Sequence, residues 1–289
     1  MINKGKIIFV NGYWASGLVG SLMGSSVPGK KYWGSKEGAF EKAAEHFLGI
    51  HEESGTHKYL DASSFMGVDS TGANRFNKGM GDFRVFDGTY FKRYIDNANK
   101  QGIYAGSNIR AIEKLNKAHQ SDYDALTSGM NKNRHSFYII THSEGGGYGA
   151  GLAKFLIKEG WKVDTVIHLS TDEADDFDTP PEPMTYQLGL QYQGSYYKKE
   201  SDWVTENYQI RSGVDRWGIV FDPKKLEWGN VHGFSKNELV FEYLEDLRVL
   251  TIGHYTENGR IYWKQIGRTP YQSRFSLFNG IKLYFKIPI

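Results

Sequence analysis

With 289 residues, 39% of them hydrophobic and 15% aromatic, the chain can bury the core of one large domain, and its composition suits a folded protein rather than a disordered one. A formal charge of +2 with no dense Lys/Arg run argues against nucleic acid as a partner, and the absence of cysteine excludes disulfides, thiolate catalysis and cysteine-bound metal. No apolar stretch approaches the roughly 20 residues needed to span a bilayer, so a soluble protein is expected, cytoplasmic in its producer or secreted without a signal peptide.

"KIIFV" (6–10) is a continuous β-branched run of the kind found in parallel sheets buried on both faces. Ser35 can cap a helix whose stripe runs through Ala39, Phe40, Ala43, Ala44, Phe47 and Leu48 before Gly49 stops it. "HKYLDAS" (57–63) is a second strand candidate, and the following "GVDSTGANRFNKGMGD" has turn chemistry and reads as a surface loop near a site. Residues 108–129 are helical in pattern, and "FYIIT" (137–141) opens a strand, turn, helix and strand series ending in "VDTVIHL" (163–169). Strands at 184–192 and 217–221 follow, and Ser235 with Glu238 has the form of a capping box opening a helix through about Leu247. Beyond it, "VLTIGHY" and "RIYWKQI" flank the hairpin signal "TENG", followed by "IKLYFKI". The expectation is an α/β fold: a mostly parallel sheet with helices on both faces over 1–248, plus a small β-rich extension over 249–289.

The chemistry centres on "THSEGGGYGAG" (141–151). A serine nucleophile needs a base and must stand clear of its sheet, and a sharp strand-to-helix turn supplies that exposure. In the elbow pattern G-x-S-x-G the five residues here are Thr141, His142, Ser143, Glu144 and Gly145, with threonine in place of the first glycine. The helix start would aim backbone N–H groups at a developing oxyanion, with Glu144 N–H as one donor. Two other readings compete: a helix-capping serine, and a dinucleotide loop in which Gly145-x-Gly147-x-x-Ala150 fits G-x-G-x-x-A. The latter is weakened because His142, Ser143 and Glu144 intervene after the strand.

Three histidines follow Ser143. His168 lies inside a strand pattern and reads as a core residue, and His254 falls in the β extension. His232, in "WGNVHGFSKNE", sits in a glycine-flanked loop and is the candidate base. The orienting acid is Asp202, after the strand at 184–192, with Asp175 in "STDEADDFD" as the alternative. "IIFVNGYW" suits the second half of an oxyanion hole, with Gly12 in the turn and the Tyr13 N–H facing the site. His46, His51 and His57 lack metal-ligand spacing, so neither a metal nor a cofactor is expected.

"IIFVNGYW", "YLDASS", "FYIITHSEGGGYGAGLAKFLIKEGW" and "VHGFS", in this order, resemble the α/β-hydrolase superfamily, in particular its lipase and esterase branch. More narrowly the arrangement is similar to lipase-like domains at the C-terminal ends of bacterial Rhs and YD-repeat polymorphic toxins and in related Bacteroidetes proteins. The resemblance covers about residues 5–247 and carries family roles to Ser143 as nucleophile, His232 as base and Asp202 as acid. It implies a serine ester hydrolase, lipase or phospholipase, acting through an acyl-enzyme on lipid esters such as membrane phospholipids. The toxin likeness further implies an effector delivered into another cell and an immunity protein as partner. A dinucleotide-binding oxidoreductase and a binding module without turnover stand as the alternatives.

Overall fold

The computed structural model describes residues 4–12, 29–33, 38–50, 57–62, 71–85, 106–174, 176–191, 213–221, 231–249, 254–256, 260–264, 273–277 and 281–285. The strands are β1 (Gly5–Asn11), β2 (Lys58–Asp61), β3 (Ser136–His142), β4 (Lys162–Leu169), β5 (Met184–Gln191) and β6 (Arg216–Phe221). After these come β7 (His254–Thr256), β8 (Arg260–Lys264), β9 (Ser273–Leu277) and β10 (Ile281–Phe285). The helices are α1 (Ala39–Leu48), α2 (Gly72–Gly81), α3 (Gly106–Thr127), α4 (Gly145–Lys158), α5 (Val231–Phe234) and α6 (Val240–Val249), with a 3-10 turn over Gly29–Trp33.

Six strands are all parallel in the order β2-β1-β3-β4-β5-β6, and β8 then β7 continue the sheet antiparallel beyond β6. The expected hairpin around "TENG" is thus part of the main sheet, while β9 and β10 pair separately.

Strand alternation divides the core into two layers. Ile7, Phe9, Tyr138, Ile140 and Leu188 face α1 and α6, where Phe40, Ala44, Phe47, Phe241 and Leu244 cover them. Ile8, Val10, Phe137, Ile139 and Val166 face the other way, onto Leu152, Ala153 and Leu156 of α4 and Leu126 of α3. β1 and β3 are buried on both faces along their whole length, which is why they read as unbroken apolar runs rather than as an alternation. The helix at 39–48 ends as its sequence signals: Gly49 adopts φ 65°, and the Gly49 and Ile50 N–H groups close onto His46 and Glu45 carbonyls.

Two local expectations are corrected. The stretch expected as a surface loop contains α2, started by Thr71, whose side chain accepts from the Asn74 N–H. Gly79 of α2 and Gly151 of α4 serve packing rather than turning: the two helices lie so close that a Cβ on Gly151 would stand 2.0 Å from the Phe76 carbonyl oxygen, and one on Gly79 2.0 Å from that of Tyr148. Ser235, expected to cap a helix, instead donates to the carbonyl of His232 at 2.6 Å, and α6 starts five residues later, where the Asn237 side chain accepts from the Leu239 N–H.

Candidate active site

The order β2-β1-β3 is a reversal point, where the chain leaves β1 to one side for β2 and crosses to the other for β3. In open parallel sheets the carboxyl ends of the two strands at such a point diverge into a crevice that binds ligands. Gly12 lies at the end of β1 and Ser143 at the end of β3, and Val10 pairs with Thr141 between them.

Ser143 has φ 57°, a left-handed conformation uncommon for a residue with a side chain, at the joint between β3 and α4. Its backbone is pinned there: its N–H donates to Leu169, and its carbonyl accepts from Gly146 at 3.0 Å and from Asp172 at 3.3 Å. β1 presses against this turn. A Cβ on Gly12 would sit 2.6 Å from Ser143 Cβ and 3.0 Å from the Glu144 nitrogen, and one on Gly145 2.6 Å from the Val10 carbonyl oxygen. Gly12 N–H donates to the Tyr32 hydroxyl at 3.1 Å, so what Gly12 gives the site is space for Ser143. Glu144 N–H lies at the start of α4, where the helix dipole favours negative charge.

Behind the turn stands a residue that sequence reasoning missed. Arg75 of α2, almost fully buried, reaches Glu144 at 2.9 Å, Asp172 at 3.3 Å and Glu173 at 3.4 Å. It ties the residue after Ser143 to the loop after β4. Burial pushes the Glu144 and Asp172 carboxyls above their ordinary range, against the pull of Arg75 and, more weakly, of His232.

His232 stands over the same edge: its ring centroid lies 4.5 Å from that of His142, the neighbour of Ser143. His142 Nε2 is 3.1 Å from the His232 carbonyl oxygen. His168 is a core residue, with Nδ1 2.8 Å from Thr141 Oγ1 and Nε2 3.0 Å from Thr179 Oγ1. Burial lowers it to about 3. Asn11 Oδ1, Ser170 Oγ and Thr171 Oγ1, buried along the same strand ends, have no hydrogen-bond partner among the described residues.

The structure thus brings Ser143, Glu144, Gly12 and His232 to one edge. Tyr13, Asp202, the alternative acid Asp175 and the glycine-rich stretch at 16–28 lie outside the described residues. Among the described residues no cluster of three or more His, Asp or Glu could hold a metal ion, and no helix is long and apolar enough to cross a membrane. No family model matches the chain, and no curated protein matches it significantly.

Proposed function

We propose that the chain is a serine ester hydrolase of α/β-hydrolase type, lipase- or phospholipase-like. One observation carries this function: Ser143 holds φ 57° in a tight strand-to-helix turn at the reversal point of a parallel sheet. Strain of that kind persists where the surroundings enforce it, and it directs a serine side chain away from its sheet toward substrate. The polar atoms of Asn11, Ser170 and Thr171 that have no partner among the described residues suit, along the same edge, a site that receives a polar ligand.

In the proposed reaction, Ser143 Oγ bonds to the acyl carbon as its proton passes to His232, and the carbonyl oxygen becomes an oxyanion facing the Glu144 N–H. Collapse breaks the ester C–O bond, with the proton going from His232 to the leaving alkoxide. Water then repeats the sequence on the acyl-enzyme, releasing the acid and Ser143. Asp202, in the segment after β5, is the proposed orienting acid, with Asp175 as its alternative, and the Tyr13 N–H is the proposed second donor. The likeness to toxin lipase domains extends the proposal to membrane phospholipid substrates and an immunity protein.

A dinucleotide loop fits less well. Its glycines must leave room for a pyrophosphate, whereas a Cβ on Gly145 would meet β1 carbonyls and one on Gly147 the Gly72 carbonyl. The Glu144 carboxylate also stands at that helix start.

The test is intact-mass spectrometry after treatment with a fluorophosphonate. Wild type should gain one adduct on Ser143, Ser143→Ala none, and His232→Ala should label at least roughly 1000-fold more slowly. A folded wild type that takes no label removes the hydrolase function.

A further inference from the structure

His142 shares the turn with Ser143 but points to the opposite face of β3 from Thr141, into the layer under α1. Both its ring nitrogens are engaged. Nε2 faces the His232 carbonyl oxygen at 3.1 Å, and Nδ1 faces the Tyr32 hydroxyl. A carbonyl only accepts, so the proton sits on Nε2, Nδ1 is bare, and Tyr32 O–H donates to it. The Tyr32 oxygen in turn accepts from the Gly12 N–H at 3.1 Å. The hydrogen bonds therefore run in one direction, from Gly12 through Tyr32 and His142 to the carbonyl of His232. Ser235 gives that same carbonyl a second bond, at 2.6 Å.

The chain favours a neutral ring throughout. Burial holds His142 well below its ordinary value, and the nearby charges of His232 and Lys236 act in the same sense. The Lys236 ammonium caps the assembly, 4.1 Å from the centroid of the Tyr32 ring. Gly12, His142 and His232 belong to three segments far apart in sequence, the ends of β1 and β3 and the α5 turn, and this relay runs through all three.

We propose that His142 is a positioning residue for the hydrolase: through Tyr32 it fixes the β1 turn against Ser143, and through the His232 backbone it sets the base over Ser143. The role rests on the function proposed above. It places His142 outside proton transfer, because neither ring nitrogen is open to the substrate, and it makes the direction of the hydrogen bonds the essential property.

The experiment compares fluorophosphonate labelling rates at Ser143, with kcat and KM on a short-chain nitrophenyl ester, in wild type, His142→Leu, His142→Gln and Tyr32→Phe, with thermal unfolding of each. Glutamine keeps an N–H for the His232 carbonyl and an oxygen for the Tyr32 hydroxyl, whereas leucine keeps neither. Displacing reacting groups by about 1 Å lowers rates on the order of 100-fold. His142→Leu should therefore label about 100-fold more slowly, with the loss in kcat rather than KM, and His142→Gln should recover most of the rate. Tyr32→Phe should fall between them, and it decides the matter if His142→Leu does not fold. The proposal is overturned if a folded His142→Leu or Tyr32→Phe labels at the wild-type rate, or if His142→Gln falls as far as His142→Leu. A wild type that takes no label at Ser143 removes the hydrolase function and this role with it, an outcome distinct from equal labelling of wild type and variant.

Discussion

In the nucleophile turn proposed at Ser143, Thr141 occupies the position that ordinarily requires glycine, and its neighbours show how a larger side chain fits. Gly149 of α4 leaves the room: a Cβ there would lie 2.2 Å from Thr141 Cγ2. The Thr141 hydroxyl donates to the Ile167 carbonyl and so accepts from His168 Nδ1, which leaves Nε2 to accept from Thr179. The buried ring is held neutral, at about 3. The unfolded chain binds a proton near pH 6.5 and the folded chain does not, so the contribution of His168 to stability is complete above 6.5 and is lost as pH falls toward 3. In urea titrations the stability of wild type relative to His168→Gln should fall by about 2 kcal/mol between pH 7 and pH 5. The other shifted groups, His142 and the carboxyls around Arg75, titrate in both proteins and cancel. A difference that stays constant with pH would rule out a neutral folded-state ring as its source. His168 was legible as a core histidine because a β-branched strand surrounds it. The partners of His142 were not, since Tyr32 and His232 lie 110 and 90 positions away and only the fold joins them.

Helix α2 was illegible for a related reason. Gly72, Gly79 and Gly81 lower helix propensity by roughly 1 kcal/mol each, so the segment reads as turns until α4 is laid against it. Contact between the helices then outweighs propensity, and with α2 comes Arg75, the link to Glu144 that no sequence pattern marked. The balance can be measured at two glycines. Ala at Gly151 gains propensity but forces its Cβ to within 2.0 Å of a backbone oxygen that cannot swing aside. Gly151→Ala should therefore destabilise by about 2–3 kcal/mol in chemical denaturation. At Gly81, on the last turn of α2, a Cβ meets nothing within 4 Å among the described residues, and Gly81→Ala should stabilise by about 0.5–1 kcal/mol. Equal effects at the two positions would mean that helix propensity, rather than the α2–α4 contact, governs both. The Ser235 expectation failed by the same logic, because its hydroxyl found the His232 carbonyl before it found a helix start.

At the scale of the whole molecule, the strands and their alternation with helices were legible because burial on both faces leaves a compositional mark. Their order was not, since a crossover of either length can return a strand to either side of its predecessor. That order sets the end of β1 against the turn at Ser143: had β2 been placed between β1 and β3, Gly12 could not touch Ser143. After residue 248, where the texture of the sequence changes, β8 pairs with β6 from Arg216–Lys264 to Val220–Arg260 and so covers the edge of the six parallel strands. An uncovered edge strand invites pairing with another chain. A chain ending at Val249 should accordingly unfold at lower temperature and self-associate more than the full chain in sedimentation and light-scattering experiments, whereas one ending at Gly267, which retains β7 and β8, should behave as the full chain does. If the shorter chain sediments and unfolds like the longer one, the pairing of β8 with β6 contributes nothing to the fold, and the folding unit ends at α6.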